Sequence, residues 1–185
     1  EKSVLSDSDH PCIIKLQWSF QTLDRLCLVM EYCPRGDLGE LLSLEKRLSE
    51  DRARVYICEI LLALEYLHKH NIIFRDLKPD NILIDDDGHL KLADFGLSRG
   101  IENTNDAKTF CGSVAYLAPE MILRQGHGKP LDWYLLGTLL YELLIGQPPM
   151  TESDRTDPNK KITSNSVVIP PYVSPNATSL IAGLL

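Results

Sequence analysis

The segment Phe74-Arg75-Asp76-Leu77-Lys78-Pro79-Asp80-Asn81, followed by Asp94-Phe95-Gly96, holds the residues of this chain best suited to chemistry. Moving a phosphoryl group requires metal ions against the phosphate charge, a carboxylate at the nucleophilic hydroxyl and cations on the transferred group. An Asp and an Asn on one loop, with a second Asp returned by a hairpin, can supply that set. In such an arrangement Asp76 would orient a hydroxyl and accept its proton, and Lys78 would sit near the terminal phosphate. Asn81 and Asp94 would hold magnesium through hard oxygen ligands.

Several elements must position these side chains. Ile82-Leu83-Ile84 and His89-Leu90-Lys91-Leu92 read as brief strands joined by Asp85-Asp86-Asp87-Gly88. The acidic run lacks the alternating ligand spacing of a calcium loop, so a hairpin turn with Gly88 at φ > 0 is the better reading. Upstream, the apolar run Leu26–Met30 predicts a buried strand after a turn near Thr22–Arg25, broken by Pro34-Arg35-Gly36. Asp37 then predicts the N-cap of a short helix through Leu44. Ser49, with Glu50 and Asp51 in the first turn, predicts a second helix start. Its apolar face is Ala53, Tyr56, Ile57, Ile60, Leu61, Leu64 and Leu67, running to about His70. Leu131 to Ile145 predicts a helix buried nearly all round and ended by Pro148-Pro149, and Thr151 to Ser166 reads as a loop or weak helix.

The bulk properties fit one soluble domain: 185 residues, 44% hydrophobic and 24% charged. A net charge of −7 argues against a nucleic-acid partner and is compatible with cationic ones. Cys12, Cys27, Cys33, Cys58 and Cys111 form no C-x-x-C pair, so neither a zinc site nor a redox motif is indicated. Their odd number, without a signal peptide, points to reduced thiols and a cytoplasmic or nuclear location. Asn176-Ala-Thr178 matches a glycosylation acceptor, which in an intracellular chain is a chance match. No apolar run reaches the length of a membrane span, and there is no internal repeat.

The catalytic segment and Asp94-Phe95-Gly96 resemble the catalytic loop and DFG motif of eukaryotic protein kinases. Ala118-Pro119-Glu120 stands where that family has its APE motif, and Asp132 begins D-W-Y-x-x-G. Each tripeptide is weak alone, but in order and at kinase spacing they make a strong signal covering the whole chain. Thr109-Phe110-Cys111-Gly112-Ser113 and Tyr116-Leu117-Ala118-Pro119-Glu120 are similar to the AGC group of serine/threonine kinases, which includes the cyclic-AMP-dependent kinase. The resemblance implies an α+β kinase fold: residues 1–31 from the end of a helix and strands of the small lobe, 32–36 as hinge, and 37–185 as most of a helical large lobe.

The same resemblance implies transfer of the γ-phosphate of ATP, with Mg²⁺, to Ser or Thr of protein substrates. It makes Met30 the gatekeeper, Glu31 and Cys33 the backbone contacts to adenine, and Asp37 a ribose contact, with Asp80 and Asp94 also in the nucleotide site. Phe74 replaces the usual His or Tyr and would stack with Leu5, Leu16 and Phe95. Thr109 matches the activation-loop phosphosite, served by an upstream activating kinase. A phosphate there adds about −1.5 to −2 charge and can order a segment against Arg75 and Arg99. Substrates with arginine two or three residues before the target are implied by Asp37, Asp80 and Glu142, with Ser113 also in the substrate groove. A Glu142 carboxylate among Leu140, Tyr141, Leu143 and Leu144 is costly to bury without a cationic partner.

The sequence contains neither a glycine-rich phosphate loop nor the lysine that accompanies it, and Glu1 corresponds to the helix glutamate that pairs with that lysine. The chain therefore reads as part of a kinase domain, cut within that helix and ending before the arginine that would pair with Glu120. Alone, this stretch is expected to be inactive. The alternative reading is a truncated, catalytically silent lobe that binds partners. Intact Asp76, Lys78, Asn81 and Asp94 favour the kinase.

Overall fold

The computed structural model describes residues 5, 8–100, 116, 118–122, 128–150 and 167–185. Thr109, Ser113, Glu1 and the stretch from Thr151 to Ser166, all singled out above, lie outside the described residues.

Strands β1 (Leu16–Gln21) and β2 (Leu26–Met30) form an antiparallel pair closed at Thr22–Arg25, where the Thr22 amide donates to the Arg25 carbonyl. The expectation of a buried strand fails here. Leu26 is 60% exposed, and Val29 and Met30 remain partly open. The physical reason is that, among the described residues, β1 and β2 pair only with each other, so no further layer covers the run.

Helix α1 (Leu38–Glu45) starts at Asp37, whose carboxylate accepts from the Glu40 amide at 2.8 Å. Helix α2 (Glu50–Lys69) starts at Ser49, which accepts from the Arg52 amide. Its buried face is Ala53, Tyr56, Ile57, Ile60, Ala63, Leu64, Leu67 and His68. Leu61 belongs to the predicted face but is 37% exposed, because the core stripe turns through Ala63 and His68 instead.

Strand β3 (Ile72–Ile73) precedes the catalytic segment, and a 3₁₀ turn at Pro79–Asn81 leads into β4 (Ile82–Ile84), which pairs antiparallel with β5 (Leu90–Leu92). The acidic run is a turn. Asp85 Oδ1 accepts from the amides of Asp87 and His89, with Gly88 at φ +90°. Glu59 of α2 fastens this hairpin by accepting from the Leu90 amide at 2.9 Å and meeting His89 Nδ1. That bond raises the pKa of His89 above its ordinary value. A second 3₁₀ turn, Phe95–Leu97, is followed by β6 (Arg99–Gly100), which pairs with β3.

After the short helix α3 (Pro119–Ile122), helix α4 (Lys129–Ile145) runs through the core with most of its length buried. Helix α5 (Pro175–Leu184) begins at Ser174, which caps the Ala177 amide and donates to Glu50 of α2. Helices α2 and α5 pack against α4. At the α4–α5 crossing a Cβ on Gly137 would lie 2.7 Å from Leu184 Cβ, so glycine sets the approach.

Helix α4 ends after Ile145, where the sequence reading places its end, but Pro148-Pro149 are not what stops it. It ends at Gly146, in the left-handed region at φ +91°, whose amide donates to the Glu142 carbonyl at 2.7 Å. The glycine acts before the prolines are reached. A Cβ at this position would also sit 2.3 Å from the Lys46 carbonyl oxygen. Gly146→Ala should therefore destabilise the domain by about 1–3 kcal/mol through backbone strain and this clash. Urea denaturation of the variant beside the parent measures the loss, and an unchanged midpoint would contradict it.

Candidate active site

The catalytic segment is held from below by one buried carboxylate. Asp132, in the first turn of α4, is fully buried. Its Oδ2 accepts from the Phe74 amide at 2.9 Å and its Oδ1 from the Arg75 amide at 2.8 Å. His68, at the end of α2, meets Oδ2 through Nε2 at 2.7 Å and stands edge-on to Trp133. Arg75 is thereby fixed in the left-handed region at φ +71°, a conformation that costs a non-glycine residue about 1–3 kcal/mol. The sequence offered a signal for this clamp, an Asp inside a strongly apolar helix, but assigned Asp132 no task and overlooked His68.

Above the clamp, Phe74 and Phe95 are both buried and meet edge-on with ring centroids 5.2 Å apart. Leu5 belongs to the same core and Leu16 packs against it. Asp76 and Asn81 are almost fully buried. The Asn81 amide Nδ2 donates to both the carbonyl oxygen and Oδ2 of Asp76, each at 2.8 Å. Lys78 Nζ lies 3.6 Å from Asp76 Oδ2. The Asn81 carbonyl accepts from the Ala93 amide at 2.9 Å, which brings Asp94 beside this group at the end of β5. Asp94 is exposed, sits at φ +58° and accepts from the Gly96 amide. Left-handed backbone at both Arg75 and Asp94 marks this loop pair as a place where strain is retained.

The donor chemistry fits magnesium. With Nδ2 engaged, the Asn81 amide oxygen remains as a hard ligand, and Asp94 keeps a carboxylate oxygen beyond its turn bond. No cluster of three or more His, Cys, Asp or Glu able to hold a metal occurs among the described residues. A site with one carboxylate and one amide suits a cation that completes its shell with phosphate oxygens and water.

The remaining predicted residues fall in three places. Met30 ends β2, and the Glu31 amide donates to the Lys15 carbonyl at 2.9 Å. Cys33 follows, half-buried, with burial and then the nearby Glu31 charge pushing its thiol pKa up. Next come the two arginines. Arg75 Nε donates to the Leu97 carbonyl at 2.6 Å, while its buried Nη1 has no hydrogen-bond partner among the described residues. Arg99 stands opposite Ile73 in the β3–β6 pair, exposed and close to the same segment.

The third place is acidic. A Cβ on Gly39 would lie 3.1 Å from Asp37 Oδ1 and 3.6 Å from Asp80 Oδ1, so both carboxylates flank that glycine. Glu142 accepts from the Tyr116 hydroxyl at 2.7 Å. Burial pushes the Glu142 carboxyl up to about 6; the Tyr116 bond opposes this, and the neighbouring Asp80 charge adds to it. The sequence argument required a cation beside Glu142. Among the described residues its hydrogen bond comes from a neutral hydroxyl.

The family model described as "Protein kinase domain" matches residues 1–185. This chain belongs to that family. "Protein kinase 2" of Dictyostelium discoideum is 47% identical over 185 residues, covering 100% of this chain and 39% of the relative. "RAC-beta serine/threonine-protein kinase" of Rattus norvegicus is 45% identical over 186 residues, and its Homo sapiens counterpart 44%, each again with 39% of the relative covered. The chain thus spans about two-fifths of the length of the curated relatives it matches. A protein kinase domain in general uses ATP with Mg²⁺ and acts on protein substrates. No helix among the described residues is long and apolar enough to cross a membrane.

Asp132→Ala should cost about 3–5 kcal/mol, since it leaves two buried amides without an acceptor and His68 without its partner. Asp132→Asn should cost less, because an amide oxygen still accepts one of the two bonds. Denaturant midpoints of the two variants test the order, and equal stability with the parent would refute the clamp.

Proposed function

We propose that this chain carries the phosphoryl-transfer residues of a protein serine/threonine kinase that uses ATP and Mg²⁺. The observation that supports this most is the Asn81 bridge to Asp76, at 2.8 Å to both the carbonyl and Oδ2. It fixes the Asp76 rotamer and leaves the other carboxylate oxygen to a substrate hydroxyl. Asp76 accepts the hydroxyl proton as the hydroxyl oxygen bonds to the γ-phosphorus and the bond from that phosphorus to the departing ADP oxygen breaks. Lys78 supplies positive charge next to the same carboxylate, and Asn81 with Asp94 would hold the metal.

Asp76→Asn and Asp94→Asn, in a catalytic domain containing this chain, should each lower radiolabelled phosphate transfer by about a hundredfold or more. Neither should shift the melting temperature by more than a few degrees, because Asp94 is exposed and an asparagine at 76 keeps an oxygen to accept from Asn81. Transfer at the parent rate by either variant would overturn the assignment.

Met30, with the backbone at Glu31 and Cys33, forms the adenine edge in this reading, and Asp37 reaches the ribose. Thr109 is the activating phosphosite, with an upstream kinase as its partner. The buried Arg75 Nη1 supports a phosphate-binding task, because a guanidinium edge left without a described acceptor suits an incoming anion. Arg99 joins it from the β3–β6 pair.

The substrates are proteins with arginine two or three residues before the Ser or Thr, read by Asp37, Asp80 and Glu142, with Ser113 nearby. Carboxylates accept guanidinium in a bidentate fork, which selects Arg over Lys. Because Glu142 titrates near 6, it is neutral below that pH and anionic above it. For peptides with arginine at the matching position, kcat/KM should rise about tenfold as pH climbs through 6, the value of one charge-assisted hydrogen bond. Peptides with alanine there should lack the step, and Glu142→Gln should remove it. A step that persists in Glu142→Gln would assign the titration to another group.

A further inference from the structure

Lys91 is the middle residue of β5, opposite Leu83 of β4. Its neighbours Leu90 and Leu92 are fully buried on the core side, so strand alternation turns Lys91 to the other face. A lysine there would ordinarily extend into solvent. This one is only 15% exposed, and its ammonium meets three acceptors. They are Glu31 Oε1 at 3.2 Å, the Pro11 carbonyl at 3.0 Å and Asp85 Oδ2 at 4.0 Å. Two of them, Glu31 and Pro11, lie within hydrogen-bond distance, and Asp85 adds a longer-range ionic attraction.

The acceptors come from three segments: the loop before β1, the residue after β2 and the β4–β5 turn. Glu31 is itself drawn in from both sides, since its Oε1 also accepts from the Lys15 amide at 3.0 Å. A few residues on, the chain attaches to the same hairpin again. The Arg35 amide donates to the Ile84 carbonyl, and the Ile84 amide donates to the Gly36 carbonyl at 2.9 Å. The span from Glu31 to Arg35 is therefore tied to one hairpin at both ends, by the Lys91 ion pair at its entry and by backbone bonds at its exit.

We propose that Lys91 is a positioning residue for the nucleotide: by anchoring Glu31 to the β4–β5 hairpin it sets the backbone edge at Glu31 and Cys33 against which the adenine is read. The inference rests on the kinase reading above. The exit attachment is made by main chain and survives any side-chain change, whereas at the entry the Glu31 amide bonds to Lys15 and the direct tie from Glu31 to the hairpin is the Lys91 ammonium. Loss of Lys91 also leaves the partly buried Glu31 carboxylate without its cation, so the entry loosens while Asp76, Asn81 and Asp94 stay in place.

Two measurements on the full-length protein separate this from a general effect on stability. In Lys91→Met the KM for ATP, and the Kd for ADP by calorimetric titration, should rise on the order of tenfold, more than kcat falls or the peptide KM changes. Hydrogen exchange without nucleotide should quicken at the amides of Glu31 and Cys33 but not at Ile84. Lys91→Arg should restore most of the affinity, and Glu31→Gln combined with Lys91→Met should be no worse than the worse single variant. Unchanged ADP affinity with unchanged exchange would overturn the proposal. So would equal losses in ATP KM, peptide KM and kcat, which would mark a purely structural lysine. Should Lys91→Met fail to fold, Lys91→Arg and Glu31→Gln carry the same readouts. If no phosphate transfer is found in any form of the protein, the exchange result still decides the anchoring, separately from the failure of the kinase reading.

Discussion

Asp132 is a carboxylate with no exposed surface, and the arrangement of the site follows from how it is satisfied. A charge in that position is tolerated only when hydrogen bonds replace its water. Three groups do so: the amides of Phe74 and Arg75, and the His68 ring. Two of the three belong to the catalytic segment, so the cost of burying Asp132 and the cost of the left-handed Arg75 backbone are met by one set of bonds. Helices α2 and α4 bring the donors and acceptor together from opposite sides of the core. The loop is rigid at its root because releasing it would strand a buried anion.

The second support is the β4–β5 hairpin, which is short but touches every part of the site. Asn81 enters it, Asp94 leaves it, and the Ala93 amide on the Asn81 carbonyl closes the two ends. On one flank Leu92 exchanges backbone bonds with Cys12 and Ile14; on the other, Leu83 bridges Asp37. Glu59 holds its turn to α2, and Lys91 reaches Glu31. Such a hairpin has too little surface to be stable alone. Its geometry is imposed by neighbours on all sides, which fixes Asn81 relative to Asp94 more firmly than either loop could.

Much of this was legible in the chain. Asp37 and Ser49 announced their helices because a short side-chain acceptor followed by a periodic apolar face has few other uses. Gly88 located the turn, and Asp76 and Asn81, singled out together in the sequence, are hydrogen-bonded to each other. What escaped was non-local. The His68–Asp132 contact joins residues far apart in sequence, and nothing in either neighbourhood encodes the other. Leu26–Met30 looked like core because an apolar run does not report whether a layer lies over it. Gly146 was passed over for the prolines beyond it, although a left-handed glycine cap acts first along the chain.

The acidic face shows the opposite principle from the Asp132 clamp. At Asp132 three groups of the fold meet the two carboxylate oxygens, whereas Asp37 and Asp80 flank Gly39 and Glu142 is met by the neutral Tyr116 hydroxyl. Asp80 raises the Glu142 pKa, which means that the two repel while both are charged. In the proposed function, a guanidinium arriving from a substrate would relieve that repulsion while forming its own bonds. On the proposed reading, that repulsion would favour a cationic segment. Tyr116 donates to the Glu142 carboxylate without neutralising it, which would hold that oxygen in place for such a segment.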